Sequence, residues 1–103
     1  MSPKRTDANQ SEIVKAFRDL GCSVRSIHMV GDGVPDLIVG IAGITLLVEI
    51  KDGKKPPSAR QLTRAEALFH ESWRGRKPEI VMSVTDAEEI VSGIVGYDLT
   101  TTN

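Results

Sequence analysis

Three residues near the middle of the chain have the types and the spacing to act on a charged substrate: Asp36, Glu49 and Lys51. They lie at the open end of the stretch from Val34 to Gly53, VPDLIVGIAGITLLVEIKDG. Two apolar runs, Leu37 to Ile41 and Ile44 to Ile50, flank Ala42 and Gly43, which predicts a two-stranded hairpin. With Ala42 and Gly43 at the centre of a two-residue turn, Asp36 falls directly opposite Glu49. Opposed side chains in an antiparallel pair have Cβ atoms about 4.5–5.5 Å apart, and like charges so placed are destabilising. A cation between the two carboxylates removes that conflict. Lys51, two residues past Glu49, points to the same face about 6.5 Å further along the strand. A longer loop over Gly40 to Gly43 would instead make Glu49 a diagonal neighbour of Asp36, still within reach of a shared metal.

The elements that must position these residues follow from the apolar pattern. The same register sets Leu37 against Val48, Val39 against Leu46 and Ile41 against Ile44, a wholly apolar side that faces a core. Upstream, Ile13, Val14, Phe17 and Leu20 have helical spacing within a helix from about Asp7 to Leu20, and Gly21 stops it. Asn9 with Glu12 forms a capping-box signature there. Cys22 to His28 alternates as a short edge-side strand, and MVGDGVP is a loop whose Pro35 sets an extended entry into the hairpin. Beyond the hairpin, Asp52 to Pro57 is a basic, proline-bounded loop. Ser58 with Gln61 is a capping-box signature for a second helix running to Trp73, with Leu62, Ala65, Phe69 and Trp73 as its apolar stripe. Glu79 to Val84 reads as a strand parallel to that of Glu49, joined by a right-handed crossover. Thr85 with Glu88 opens a third helix to about Val95, on Ala87, Ile90, Val91 and Ile94. The order αβββαβα describes one α/β domain, a mixed sheet with helices packed on it. Residues 1–6 read as a flexible basic arm, 7–96 as the domain and 97–103 as a tail.

At 103 residues, 40% hydrophobic and 26% charged, the chain fits one small globular domain. No apolar run reaches membrane-spanning length, and the polar start MSPKRTDANQ has no signal-peptide core. Cys22 is the only cysteine, which excludes an intramolecular disulfide and a cysteine-based zinc site and fits a reducing cytoplasm. The net charge of -1 averages an uneven distribution. Lys54, Lys55, Arg60, Arg64, Arg74, Arg76 and Lys77 share one segment, while Asp86, Glu88 and Glu89 cluster later. Local charge governs where a polyanion docks.

Pro35-Asp36 followed by Glu49-Ile50-Lys51, with a preceding helix bearing Glu12 and a later one bearing Gln61, resembles the PD-(D/E)XK nuclease superfamily. Within it, GVPDL at Gly33 to Leu37, the EIK and Gln61 in a compact chain are most similar to the VRR-NUC group, whose stand-alone members occur in phages and bacteria. The resemblance spans roughly Glu12 to Val84. It implies a restriction-endonuclease-like core and a metal-dependent endonuclease that hydrolyses DNA phosphodiesters, structure-selective on branched DNA such as Holliday junctions. It places the protein in the cytoplasm of a bacterium or of a phage-infected host. The residue types suit that chemistry: one or two Mg²⁺ or Mn²⁺ ions activate water and neutralise charge on the attacking and leaving oxygens. Hard cations take oxygen ligands, which Asp36, Glu49 and the main-chain carbonyl of Ile50 supply. Lys51 then holds the scissile phosphate or the attacking water against developing negative charge. The resemblance assigns Glu12 an outer or second-metal carboxylate, and Gln61 the positioning of Lys51 or of the phosphate. Lys54, Lys55, Arg60 and Arg64 become backbone-phosphate contacts that position DNA without reading its sequence. A two-fold junction cut symmetrically needs two sites, so a C2 homodimer is expected, its apolar surface drawn from the third helix or Trp73.

Each assignment has a plainer rival. Glu49 and Lys51 taken without Asp36 are an ordinary solvated strand face, and the cations after Lys51 a solvated surface. Glu12 and Gln61 are equally capping-box residues. His28 reads as a strand-end or surface histidine, Trp73 as core or interface, and Cys22 as a small buried apolar residue. Two other functions fit the chain: a non-catalytic nucleic-acid-binding subunit of a larger repair or packaging assembly, and a small α/β interaction domain whose carboxylates are incidental.

Overall fold

The computed structural model describes residues 7–96; the expected arm at 1–6 and tail at 97–103 lie outside the described residues. The chain runs through α1 (Gln10–Asp19), β1 (Ser23–Ser26), β2 (Leu37–Ile41), β3 (Ile44–Ile50), α2 (Arg64–Ser72), β4 (Glu79–Val81) and α3 (Val84–Val95), the order read from the sequence. Two 3₁₀ turns, His28–Val30 and Pro57–Ala59, interrupt the loops. The four strands form one mixed sheet in the order β1-β2-β3-β4. β1, β2 and β3 are antiparallel neighbours, and β4 runs parallel to β3.

The hairpin has the expected register, with Leu37 opposite Val48, Val39 opposite Leu46 and Ile41 opposite Ile44. Ala42 and Gly43 take φ of 51° and 76°, so both central residues are left-handed, as in the turn whose twist matches the flanking strands. Alternation then sorts the side chains. Leu37, Val39, Leu46, Val48 and Ile50 bury against Ile13 and Phe17 of α1 and Ala87 and Val91 of α3 in a single core. The opposite side of the sheet receives Asp36, Glu49 and Lys51, and Glu66 of α2 reaches Lys51 there.

Three helix starts differ from expectation. α1 begins at Gln10, and Asn9 makes no side-chain cap bond. Its amide instead donates to the main-chain oxygens of Lys51 and Met82, both at 3.1 Å, tying the helix entry to the ends of β3 and β4. The Asn9–Glu12 box is therefore absent, because the Asn9 side chain is turned to give its Nδ2 to these two carbonyls and its Oδ1 is left unpartnered. The Ser58–Gln61 box does not open α2. Pro57 starts only a 3₁₀ turn, and the helix begins after Thr63, whose hydroxyl accepts from the Glu66 amide at 3.2 Å while the Glu66 carboxylate accepts from the Thr63 amide at 2.8 Å. α3 is capped by Ser83 rather than Thr85, with the Asp86 amide donating to the Ser83 hydroxyl.

The buried side of α2 is the second correction. The expected stripe leaves Ala65 and Trp73 exposed and Phe69 half-buried, and the residues turned inward are Glu66 and His70. Trp73 stacks on Phe69 with ring centroids 5.0 Å apart, outside the core. Cys22 is buried, as expected, and burial pushes its thiol pKa up.

Candidate active site

Asp36 is fixed from three directions. Its amide donates to the Val48 carbonyl at 3.0 Å, its carbonyl accepts from the Ile27 amide at 2.7 Å, and its carboxylate Oδ2 accepts from the Ile50 amide at 2.7 Å. A side-chain acceptor thus completes the hairpin ladder where Pro35 interrupts the strand. This structural duty also presents the carboxylate to Glu49. The two side chains are nearly inaccessible, Asp36 at 5% and Glu49 at 2% exposure.

Burial pushes the Glu49 carboxyl up to about 9, assisted by its hydrogen bond to Asp36 and by the Asp36 and Glu66 charges, with Lys51 opposing. Near neutrality, then, Glu49 carries the proton and donates it to Asp36. Its other oxygen, Oε1, is buried with no hydrogen-bond partner. A buried carboxyl oxygen left without a partner beside a second carboxylate is a place where a water or an ion can complete the polar contacts.

Lys51 follows on the same face, and its amide extends the β3–β4 ladder by donating to the Val81 carbonyl. Its ammonium donates to Glu66 Oε1 at 2.7 Å, a buried ion pair. Burial alone would lower the lysine pKa, but the Glu66 bond and charge, with Glu49 and Asp7 behind them, outweigh it and raise it. Lys51 is therefore held cationic next to the acid pair. Glu66 and His70, one turn apart on α2, were missed by sequence reasoning. The signal was present as Thr63-x-x-Glu66, a capping box five residues after the one chosen. His70 Nε2 is buried without a partner, and burial lowers the imidazole pKa.

The structure brings Asp36, Glu49, Ile50 and Lys51 together and adds Glu66. Gln61 does not reach Lys51 through the helix as expected, because it is exposed on the segment before Thr63. Glu12 is exposed on the first turn of α1, where it lines a separate groove with Asn9, Asp52 and Lys54. Lys54, Lys55 and Arg64 are exposed on the path from β3 to α2, and Arg60 is half-buried with Nε unpartnered. His28 bonds Ser26 through Nδ1 at 2.9 Å, a local contact at the end of β1.

The donor set suits a hard divalent cation. Among the described residues no cluster of three His, Cys, Asp or Glu side chains forms, so the shell would consist of Asp36, Glu49, the Ile50 carbonyl and waters. Among those residues, too, no helix is long and apolar enough to cross a membrane.

A mixed sheet flanked by helices, with an acid pair and a lysine at the open end of its hairpin, defines the restriction-endonuclease-like class of α/β fold. The chain is similar to a solved VRR_NUC domain, at 28% identity and a TM-score of 0.56, over 84% of this chain and 97% of that one. That likeness supports placement in the VRR-NUC family, to which GVPDL and EIK also point. No family profile and no curated protein matches the chain.

Proposed function

We propose that the protein is a metal-dependent endonuclease that hydrolyses DNA phosphodiesters and selects branched structures such as Holliday junctions. The observation that carries this reading is the buried Lys51–Glu66 pair beside the hydrogen-bonded Asp36–Glu49 pair. An incidental acidic face would be solvated, whereas here four ionisable side chains are withdrawn from water at one spot, a costly arrangement that points to function.

Asp36, Glu49 and the Ile50 carbonyl would hold Mg²⁺ or Mn²⁺, whose bound state supplies charge neutralisation and an acidified water. The chain's own residues do the rest. Glu49 would hold a cation only as the carboxylate, so loading the site would release its proton. Lys51, kept charged by Glu66, places an ammonium donor where negative charge grows on the phosphate oxygens. Lys54, Lys55, Arg60 and Arg64, beginning three residues past Lys51, are suited to gripping the flanking backbone phosphates. Exposed Glu12 and Gln61 are available to the substrate or to an outer water. One chain offers one such site, so symmetric cutting of a two-fold junction calls for a homodimer. Exposed Leu68 of α2 and Trp73 just past its end offer apolar surface for it.

The test is cleavage of labelled four-way junction, flap and linear duplex with Mg²⁺ or Mn²⁺, comparing wild type with Lys51→Ala. The junction should be cut best, and Lys51→Ala should lose at least about 10² in rate, as for loss of a preorganised charge donor. A wild type that cuts none of the substrates, or a Lys51→Ala variant that cuts equally well, refutes the mechanism.

A further inference from the structure

The loop from His28 to Pro35 leaves the sheet and returns to it at Asp36, closed at its base by the Ile27 amide donating to the Asp36 carbonyl. Its tip carries Met29 and Val30, 62% and 64% exposed, the two most exposed large apolar side chains described.

The loop that presents them is tightly specified. Val30 donates to the Ile27 carbonyl at 3.0 Å and Val34 to the Gly31 carbonyl at 3.0 Å. Gly31, Asp32 and Gly33 take φ of 74°, 60° and 79° in succession, a left-handed run that side chains other than glycine resist. Gly33 lies so close to the Ala65 carbonyl that a Cβ there would overlap it. The loop is thus seated on the first turn of α2, one residue from Arg64 and directly before Glu66, the partner of Lys51. The loop that carries this apolar pair is tied at its return to Asp36 of the acid pair and at Gly33 to the start of α2.

We infer that Met29 and Val30 form a wedge that enters the base stack of DNA next to the scissile phosphate. The inference rests on the nuclease reading above and adds how the substrate is engaged. Proteins that kink or open duplexes insert apolar side chains, Met among them, between base steps, while neighbouring cations hold the phosphates. Two residues at a loop tip cover far less than the roughly 800 Å² per partner of a stable protein interface, which disfavours a second copy as the occupant. A stack already broken at a branch accepts the wedge more readily than continuous duplex, so the tip would contribute to selection of branched DNA.

The test places 2-aminopurine beside the mapped cleavage position and follows its fluorescence on binding in Ca²⁺, with cleavage then measured in Mg²⁺. Wild type should raise the fluorescence as the base unstacks. The Met29→Ser/Val30→Ser variant should lose that rise and cut the paired substrate about tenfold more slowly, in line with loss of two apolar contacts. It should cut a substrate already unpaired at that position at the wild-type rate, which also shows that the variant is folded. A variant that unstacks the base and cuts both substrates like wild type overturns the wedge and leaves the nuclease reading standing. A wild type that cuts neither substrate refutes the nuclease reading itself. If the variant changes the mass measured by light scattering, the tip is a contact between copies, and the wedge is again overturned.

Discussion

Replacing Glu66 tests whether α2 exists to hold Lys51. The Glu66 Oε1 accepts both from Lys51 Nζ at 2.7 Å and from the Thr63 amide at 2.8 Å. The side chains of the ion pair are only 11% and 7% exposed, so solvent screening does not weaken it as it would a surface pair. Removing one partner of such a pair costs about 3–5 kcal/mol, because the other charge stays buried, and loss of the capping-box contact lies within that sum. Glu66→Ala should therefore lose a large part of the roughly 5–15 kcal/mol available to a domain of this kind. Glu66→Gln retains an oxygen for both donors but leaves Lys51 without its counter-charge, so its loss should fall between wild type and Glu66→Ala. Urea unfolding separates the two, and at about 4–8 °C per kcal/mol thermal melting should as well. A cycle with Lys51→Met completes the test: the double variant Lys51→Met/Glu66→Leu should be more stable than Glu66→Ala, since no buried charge remains. If Glu66→Ala costs under about 1 kcal/mol, or the cycle shows no coupling, Lys51 is not held as described.

The acid pair predicts an unusual pH dependence. Glu49 is raised from an ordinary 4.5 to about 9 in the folded protein, so between those values the folded state keeps a proton that the unfolded chain has released, and stability falls as pH rises through the window. Glu49→Gln should flatten that slope in thermal melts, and a variant that melts with the wild-type pH profile refutes the assignment. Metal should act in the opposite sense: Mg²⁺ or Mn²⁺ at about a hundredfold over its Kd adds about 2.7 kcal/mol, with proton release visible by calorimetry below pH 9. Neither effect should survive in Glu49→Gln. In the loop, Gly33→Ala meets the Ala65 carbonyl at a positive φ and should cost about 2–4 kcal/mol in urea unfolding. Gly31→Ala meets nothing within 4 Å, but its φ of 74° with ψ of -158° is a nearly glycine-only conformation and should cost about 1–3 kcal/mol; a Gly33→Ala loss no larger than this would show that the loop is not seated on α2.

What the sequence disclosed and what it hid divide along a physical line. The hairpin register was legible because a two-residue turn with left-handed central residues and a strict two-residue alternation are local constraints, and together they fix Asp36 against Glu49. The parallel pairing of β4 with β3 followed from the strand–helix–strand order, and the apolar sides of α1 and α3 from their period. α2 resisted the same reasoning because its inward residues are charged. A stripe of Leu62, Ala65, Phe69 and Trp73 is the better answer on hydrophobicity, and the chain rejects it because Lys51, buried on the site side of β3, needs an anion. That demand decides between two capping boxes of equal local merit, Ser58–Gln61 and Thr63–Glu66. It turns Glu66 inward, places Ala65 under Gly33 and so seats the loop that ends at Asp36. The lysine proposed for the chemistry is thus also what orients the helix beside it, and a site that dictates its own scaffold in this way cannot be found from apolar periodicity.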